Sequence, residues 1–172
     1  RSQKCDNTLE YKIYPCGVVD LSVILSPQTA DLRRLGIGMT FADGFEQIEY
    51  FAKGPWENYW DRQQGSFVGR YATSVSEMFV PYAHPQSCGN RTGMREVSLY
   101  DKTYTKGIKI EADRPISFSM LHYDDTDFAK EVLHTWDLKP HKEVFAHFDY
   151  LQRGLGNGSC GQNTGTLTKY FC

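Results

Sequence analysis

Residues 107–120 read GIKIEADRPISFSM. In its second half Ile116, Phe118 and Met120 alternate with Ser117 and Ser119. That is the period of a strand with one face on a core and the other on water or a second layer. The first half, 107–112, reads as a separate strand, set apart by Arg114-Pro115. The same alternation recurs on both sides of this stretch. Val19, Leu21, Val23 and Leu25 alternate with Asp20, Ser22 and Ile24, and Val144, Ala146, Phe148 and Tyr150 alternate with Phe145, His147 and Asp149. Further strands are predicted over 9–14, 34–41, 47–53 and 95–100, separated by Pro15-Cys16-Gly17, Asp43-Gly44 and Lys106-Gly107. One helix is predicted near 125–134. The acids of Asp124-Asp125-Thr126-Asp127 suit its positive N-terminus, and Phe128, Val132 and Leu133 fall on one face. The pattern predicts an all-β, antiparallel β-sandwich with this one short helix, residues 1–172 forming a single domain.

The chain of 172 residues is long enough for one domain with a real core, and 40% hydrophobic with 14% aromatic residues is a globular composition rich in rings. A net charge of −2 without a basic run argues against nucleic acid as a partner. No apolar run is long enough to span a bilayer, and the polar N-terminus, RSQKCDNTLEYKIYP, is not a signal peptide. The chain does not begin with Met, so it reads as an excised piece of a longer protein. Five cysteines without a C-x-x-C indicate neither a disulfide scaffold nor a zinc site, and the five histidines share no ligand spacing, so no metal site is expected. Asn90-Arg91-Thr92 and Asn157-Gly158-Ser159 fit the glycosylation pattern, which arises often by chance.

Residues 54–93 place Trp56, Tyr59, Trp60, Tyr71 and Tyr82 among Glu57, Asp61, Arg62, Arg70, Asn90 and Arg91. Aromatic faces beside short polar groups suit a sugar site, with a flat apolar surface for C–H edges and hydrogen-bonding groups for hydroxyls. Composition alone favours the plainer reading, a loop that buries its own rings and pairs its own charges.

The order of residues adds to this. Gly54, Pro55, Glu57, Asn58, Tyr59, Asp61 and Arg62 are followed by Gly69-Arg70-Tyr71, by Val80-Pro81-Tyr82 with Pro85-Gln86, by Gly89-Asn90-Arg91 with Arg95, and by Gly154-Leu155-Gly156 with Ser159. This series resembles the C-terminal, small-chain domain of glycoside hydrolase family two β-galactosidases, from about Arg33 to Tyr170. The resemblance implies a galactose-mutarotase-like "supersandwich" and a parent enzyme that hydrolyses terminal β-galactosides with retention. Its catalytic glutamates would lie in an upstream barrel domain, so no catalytic residue is expected here and the isolated chain should hydrolyse nothing. Family members often use divalent and monovalent cations near the barrel site, whereas no cofactor is expected in this chain. The expected partners are the barrel domain and, through the parent, β-galactoside sugars. The family's domain begins with further strands that this chain lacks, which would leave edges open to pairing or homo-oligomer formation. The compartment is not given, cytoplasm or periplasm of a bacterium being the alternatives.

By that resemblance the residues put forward as substrate contacts are Asn157, Ser159 and Cys160 of the last turn, with Trp56, Glu57, Trp60, Asn90 and Arg91. Gly54, Pro55, Tyr59, Asp61, Arg62, Arg70, Tyr71 and Tyr82 are assigned to the structural motif, and His134 to a structural hydrogen bond. Arginine–carboxylate pairing within the 56–62 loop is favoured over direct sugar contact, as for Asn90 and Arg91. Trp56, Trp60 and Tyr82 are expected to pack within the loop. Glu46 with Glu49 is assigned to a strand and Asp124 with Asp125 to a helix cap. Cys160 stands where the family has a tryptophan that packs on the sugar in the aglycone position. Either another aromatic supplies that surface or the aglycone is held differently. Cys88 also departs from the family pattern, and a Cys88–Cys160 disulfide is set against two independent thiols, the thiols being favoured. An independent carbohydrate-binding module, a purely structural domain and, on fold analogy alone, a sugar epimerase remain as alternatives.

Overall fold

The computed structural model describes residues 5–28, 32, 34–129, 134–152 and 154. The strands are β1 (Cys5–Ile13), β2 (Val19–Pro27), β3 (Arg34–Phe41), β4 (Phe45–Gly54), β5 (Phe67–Ser74), β6 (Arg91–Asp101), β7 (Gly107–Leu121) and β8 (Val144–Gln152). Two short helices, α1 (Val75–Met78) and α2 (Asp125–Ala129), and a 3-10 turn at Thr135–Asp137 complete the described elements. The fold is all-β, with two antiparallel sheets that do not close into a barrel. β1 and β2 form a hairpin registered from Cys5 opposite Pro27 to Ile13 opposite Val19. Its tight turn places Gly17 at φ +89°, a conformation that costs a residue without Cβ little. The other six strands form one sheet in the order β3-β8-β7-β6-β4-β5.

Two expectations change here. Arg114-Pro115 reads in sequence as a break between two strands, but β7 runs straight through it. The two residue steps from Met94 to Glu96 on β6 face the five from Glu111 to Ile116 on β7. The extra residues form a bulge, and a bulge is where a strand tolerates a proline that has no N–H for the ladder. Residues 67–74, read as part of a punctuated loop, form the edge strand β5, paired with β4 from Gly54–Phe67 to Gln47–Ser74. Its alternation is weak because an edge strand with Phe67 and Val68 exposed needs no continuous apolar face.

The bulge lets the sheet fold over itself. Gln47 lies opposite Tyr100, and Tyr100 opposite Gly107. His122 comes after the whole of β7, which is 15 residues long. In a flat sheet that separation is roughly 50 Å. Yet His122 Nε2 sits 2.9 Å from Glu46 Oε2, and the Tyr50 and Phe118 rings meet at 5.4 Å between centroids. The second half of β7, with β8 and β3, therefore turns back over β4. Ile48, Val97 and Leu99 thus join Met120, Val144 and Ala146 in one core, all at most 1% exposed. Val75 and Met78 of α1 belong to the same cluster. This helix starts at a capping box the sequence reading passed over, with Ser74 and Glu77 each bonding the other's backbone N–H.

At α2 the expected cap is present. Asp124 Oδ1 accepts from the Thr126 N–H at 2.8 Å. Residues 130–133, the rest of the predicted helix, lie outside the described residues. Glu46 and Glu49 are on β4, as expected.

Candidate functional site

β4 ends at Gly54, where any Cβ would come within 2.8 Å of both the Tyr50 hydroxyl and the Tyr71 ring. Glycine there lets the strand cross two tyrosines and release the 55–66 loop. A second loop, 79–90, leads into β6. The two are held together by Glu57, whose side chain is 6% exposed. Glu57 Oε2 accepts from the Gly89 N–H at 2.7 Å and the Tyr59 hydroxyl at 3.3 Å. Its Oε1 accepts from the Tyr82 hydroxyl and from Arg62 Nη2, and the same guanidinium donates to Tyr82 Oη at 3.1 Å. Gly89 can present its N–H inward because it sits at φ +77°, where a Cβ would also be 2.6 Å from the Met78 carbonyl. Burial, reinforced by the Glu57 charge, raises the Tyr59 hydroxyl far above the ordinary tyrosine range. Burial and the hydrogen bond to Glu57 raise Tyr82 as well.

A second latch lies beneath the first. Asn58 is fully buried. Its Nδ2 donates to the Lys53 and Trp56 carbonyls at 3.0 and 2.9 Å. Its Oδ1 accepts from the Thr92 N–H and hydroxyl at 2.9 and 2.6 Å. Asn90 Nδ2 donates to the Asn58 carbonyl at 2.8 Å. Arg91, 4% exposed, donates to the carbonyls of Pro55 (3.0 Å), Gly89 (3.1 Å) and Asn90 (3.3 Å). Buried polar groups in a folded chain are satisfied in this way, and each such partner fixes a loop residue in space.

These contacts sort the residues put forward from sequence. Glu57, Asn90 and Arg91 were named as substrate contacts, but they are turned inward and engaged by the protein itself. Arg62 pairs with Glu57, while Arg70 pairs instead with Glu96 on β6. Tyr71 donates to the Phe67 carbonyl within β5. Trp56 differs from expectation in the other direction: it is 76% exposed rather than packed in its loop, because Asn58 holds the Trp56 carbonyl inward and the indole outward. Trp60 is half-buried, with its indole N–H enclosed and without a partner among the described residues. The sequon at Asn90 is closed, since Asn90 and Thr92 are 1% and 0% exposed. His134 is exposed and stacks on Trp136, centroids 4.2 Å apart, while neighbouring Thr135 donates to the Tyr82 carbonyl. Cys88 is a free thiol at 1% exposure. It accepts from the Val80 N–H, and burial pushes its pKa up to about 11. Asn157, Ser159 and Cys160 lie outside the described residues. The sequence pattern gives Thr92 a place in a sequon but no role in the latch. A signal for Thr92 was its place two residues after Asn90, on the strand that Asn58 docks against.

Beside the latches lies a shallow cleft of about 420 Å³ walled by Trp56, Glu57, Asp61, Arg62 and residues 63–66. Gly154, the first glycine of the Gly154-Leu155-Gly156 motif, has its backbone directly on the Asp61 carboxylate, leaving no room for a Cβ. Two motif segments some ninety residues apart thus meet beside Trp56.

Over residues 1–172 the chain matches the family described as beta galactosidase small chain. The chain belongs to that family. Among its relatives, the β-galactosidase of Staphylococcus xylosus is 30% identical over 130 residues, covering 76% of this chain and 13% of that protein. The β-galactosidase of Streptococcus thermophilus is 33% identical over 122 residues, covering 69% and 12%. That of Priestia megaterium is 28% identical over 155 residues, covering 88% and 15%. The chain spans about an eighth of the length of the β-galactosidases it matches.

Proposed function

We propose that this domain walls one side of the sugar pocket of a retaining β-galactosidase, with Trp56 as its aromatic contact. The observation that carries the reading is the pair of latches around Glu57 and Asn58. They hold the 55–66 rim rigid while leaving one indole outward beside Asp61. A ring for C–H edges with polar groups next to it is what a pyranose needs. Gly154 against Asp61 adds a second motif residue to the same rim. Trp56 then stands in for the ring that Cys160 does not provide, and the aglycone is held by the 56–66 rim. The domain brings no hydrolysis of its own. Retention needs two carboxylates roughly 5 Å apart, one of them free to attack and the other to trade a proton, and Glu57 in this cleft is committed to four protein donors. Glu57, Asn90 and Arg91 serve as scaffold for the rim.

The test is a galactose and lactose titration followed by tryptophan fluorescence, on the isolated domain and on the full-length enzyme. A response in the full-length enzyme alone, lost in Trp56→Ala, supports a wall completed by the upstream barrel. The open cleft favours one second reading, an independent carbohydrate-binding module, and saturable quenching in the isolated domain selects it. No Trp56-dependent response in either protein refutes both.

A further inference from the structure

Away from the rim, Asp149 on β8 is 1% exposed, and among the described residues neither of its carboxylate oxygens has a hydrogen-bond donor in line. Arg34 Nε on β3 stands 3.0 Å from Oδ2, close enough for ion pairing but off the hydrogen-bond axis. The β3 backbone lies flat on the group, since a Cβ at Gly36 would be 2.5 Å from Asp149 Oδ1. From β7, the facing residue is Ser117, also buried and unpartnered. Arg34 is shared: its Nη1 reaches Asp125 Oδ2 on α2 at 3.2 Å. His147, from β8 itself, approaches that same Asp125 oxygen at 3.4 Å. Two carboxylates thus compete across one guanidinium, one buried in the sheet and one on the helix.

We propose that Asp149 is a proton-operated latch for α2. Ionised, Asp149 draws Arg34 toward the sheet and repels Asp125. Protonated, it releases Arg34 to Asp125, and α2 seats more tightly on β3 and β8. The latch works in a physiological range because the carboxyl is pushed up to about 6. Burial is the largest cause and the Asp125 charge adds to it, against the pull of Arg34 and His147. Asp125 moves the other way, held low chiefly by its hydrogen bond to His147. This inference stands apart from the galactoside reading and does not need it.

The experiment is hydrogen exchange with mass-spectrometric readout on the full-length enzyme, following the peptide over 122–129 from about pH 7.5 to about pH 5, corrected for intrinsic rates. Exchange should slow roughly tenfold toward acid for each unit by which docking of α2 shifts the Asp149 titration. Asp149→Asn should exchange slowly and evenly across the range, and His147→Gln should keep a pH dependence with its midpoint moved upward. A flat wild-type profile overturns the proposal. So does a dependence that survives Asp149→Asn or disappears in His147→Gln, which would assign the titration to the imidazole.

Discussion

Replacing Glu57 by alanine separates a scaffold from a ligand. The carboxylate is 6% exposed and takes four donors. Two of these, the Gly89 N–H and the Tyr59 hydroxyl, are themselves buried and would be left unpartnered, at about 1–3 kcal/mol each. Arg62 is half exposed and re-solvates at little cost, about 0–1 kcal/mol. Tyr82 is only partly buried and lies between these cases. Together these come to a loss of roughly 3–8 kcal/mol, a large share of the total stability of a domain. Glu57→Gln keeps the shape but sets an amide donor against donors, and should cost about 1–2 kcal/mol. The assay is urea unfolding of the domain, read as a shift in midpoint at constant slope. If Glu57→Ala stays within about 1 kcal/mol of wild type, the latch argument is wrong. If sugar binding falls while stability holds, Glu57 is a ligand contact after all.

Trp56→Ala should leave stability within about 0.5 kcal/mol, because the exposed ring buries little, while removing the fluorescence response to sugar. Asn58→Ala should cost about 3–5 kcal/mol in the same unfolding assay, since it strands the Thr92 N–H and the Lys53 carbonyl and opens a cavity. Asp149 titrates about two units above the ordinary aspartate value of 3.8, so its contribution is fully present below about pH 4 and lost as pH rises through 6. At pH 7.5 Asp149→Asn should therefore be the more stable protein by about 3 kcal/mol, the gap closing toward pH 4, as measured by paired denaturation curves. Alkylation at mildly alkaline pH should label exposed Cys16 readily and spare Cys88 in the native protein, and equal labelling rates would show that the Cys88 site opens.

The sequence by itself determined the strands whose side chains alternate between a core and another environment. Residues 116–120 and 144–150 are legible for that reason, since a period of two is written into the chain wherever one face must be buried. The ordered motif blocks likewise fixed the family and named Glu57, Asn58, Tyr82, Asn90 and Arg91 as a set. Tertiary structure decided which way each of them faces. An arginine in a punctuated loop has the same sequence signature whether its guanidinium meets a sugar or three backbone carbonyls. Only the docking of the 79–90 loop on Glu57 turns Arg91 inward and leaves Trp56 out. The fold-over of β7 at Arg114-Pro115 was equally hidden, because a proline reads as a break until a register count shows a bulge. The Arg34–Asp125–Asp149 cluster comes from three separate elements. Burial by distant segments sets the charge balance there, and no local pattern encodes it.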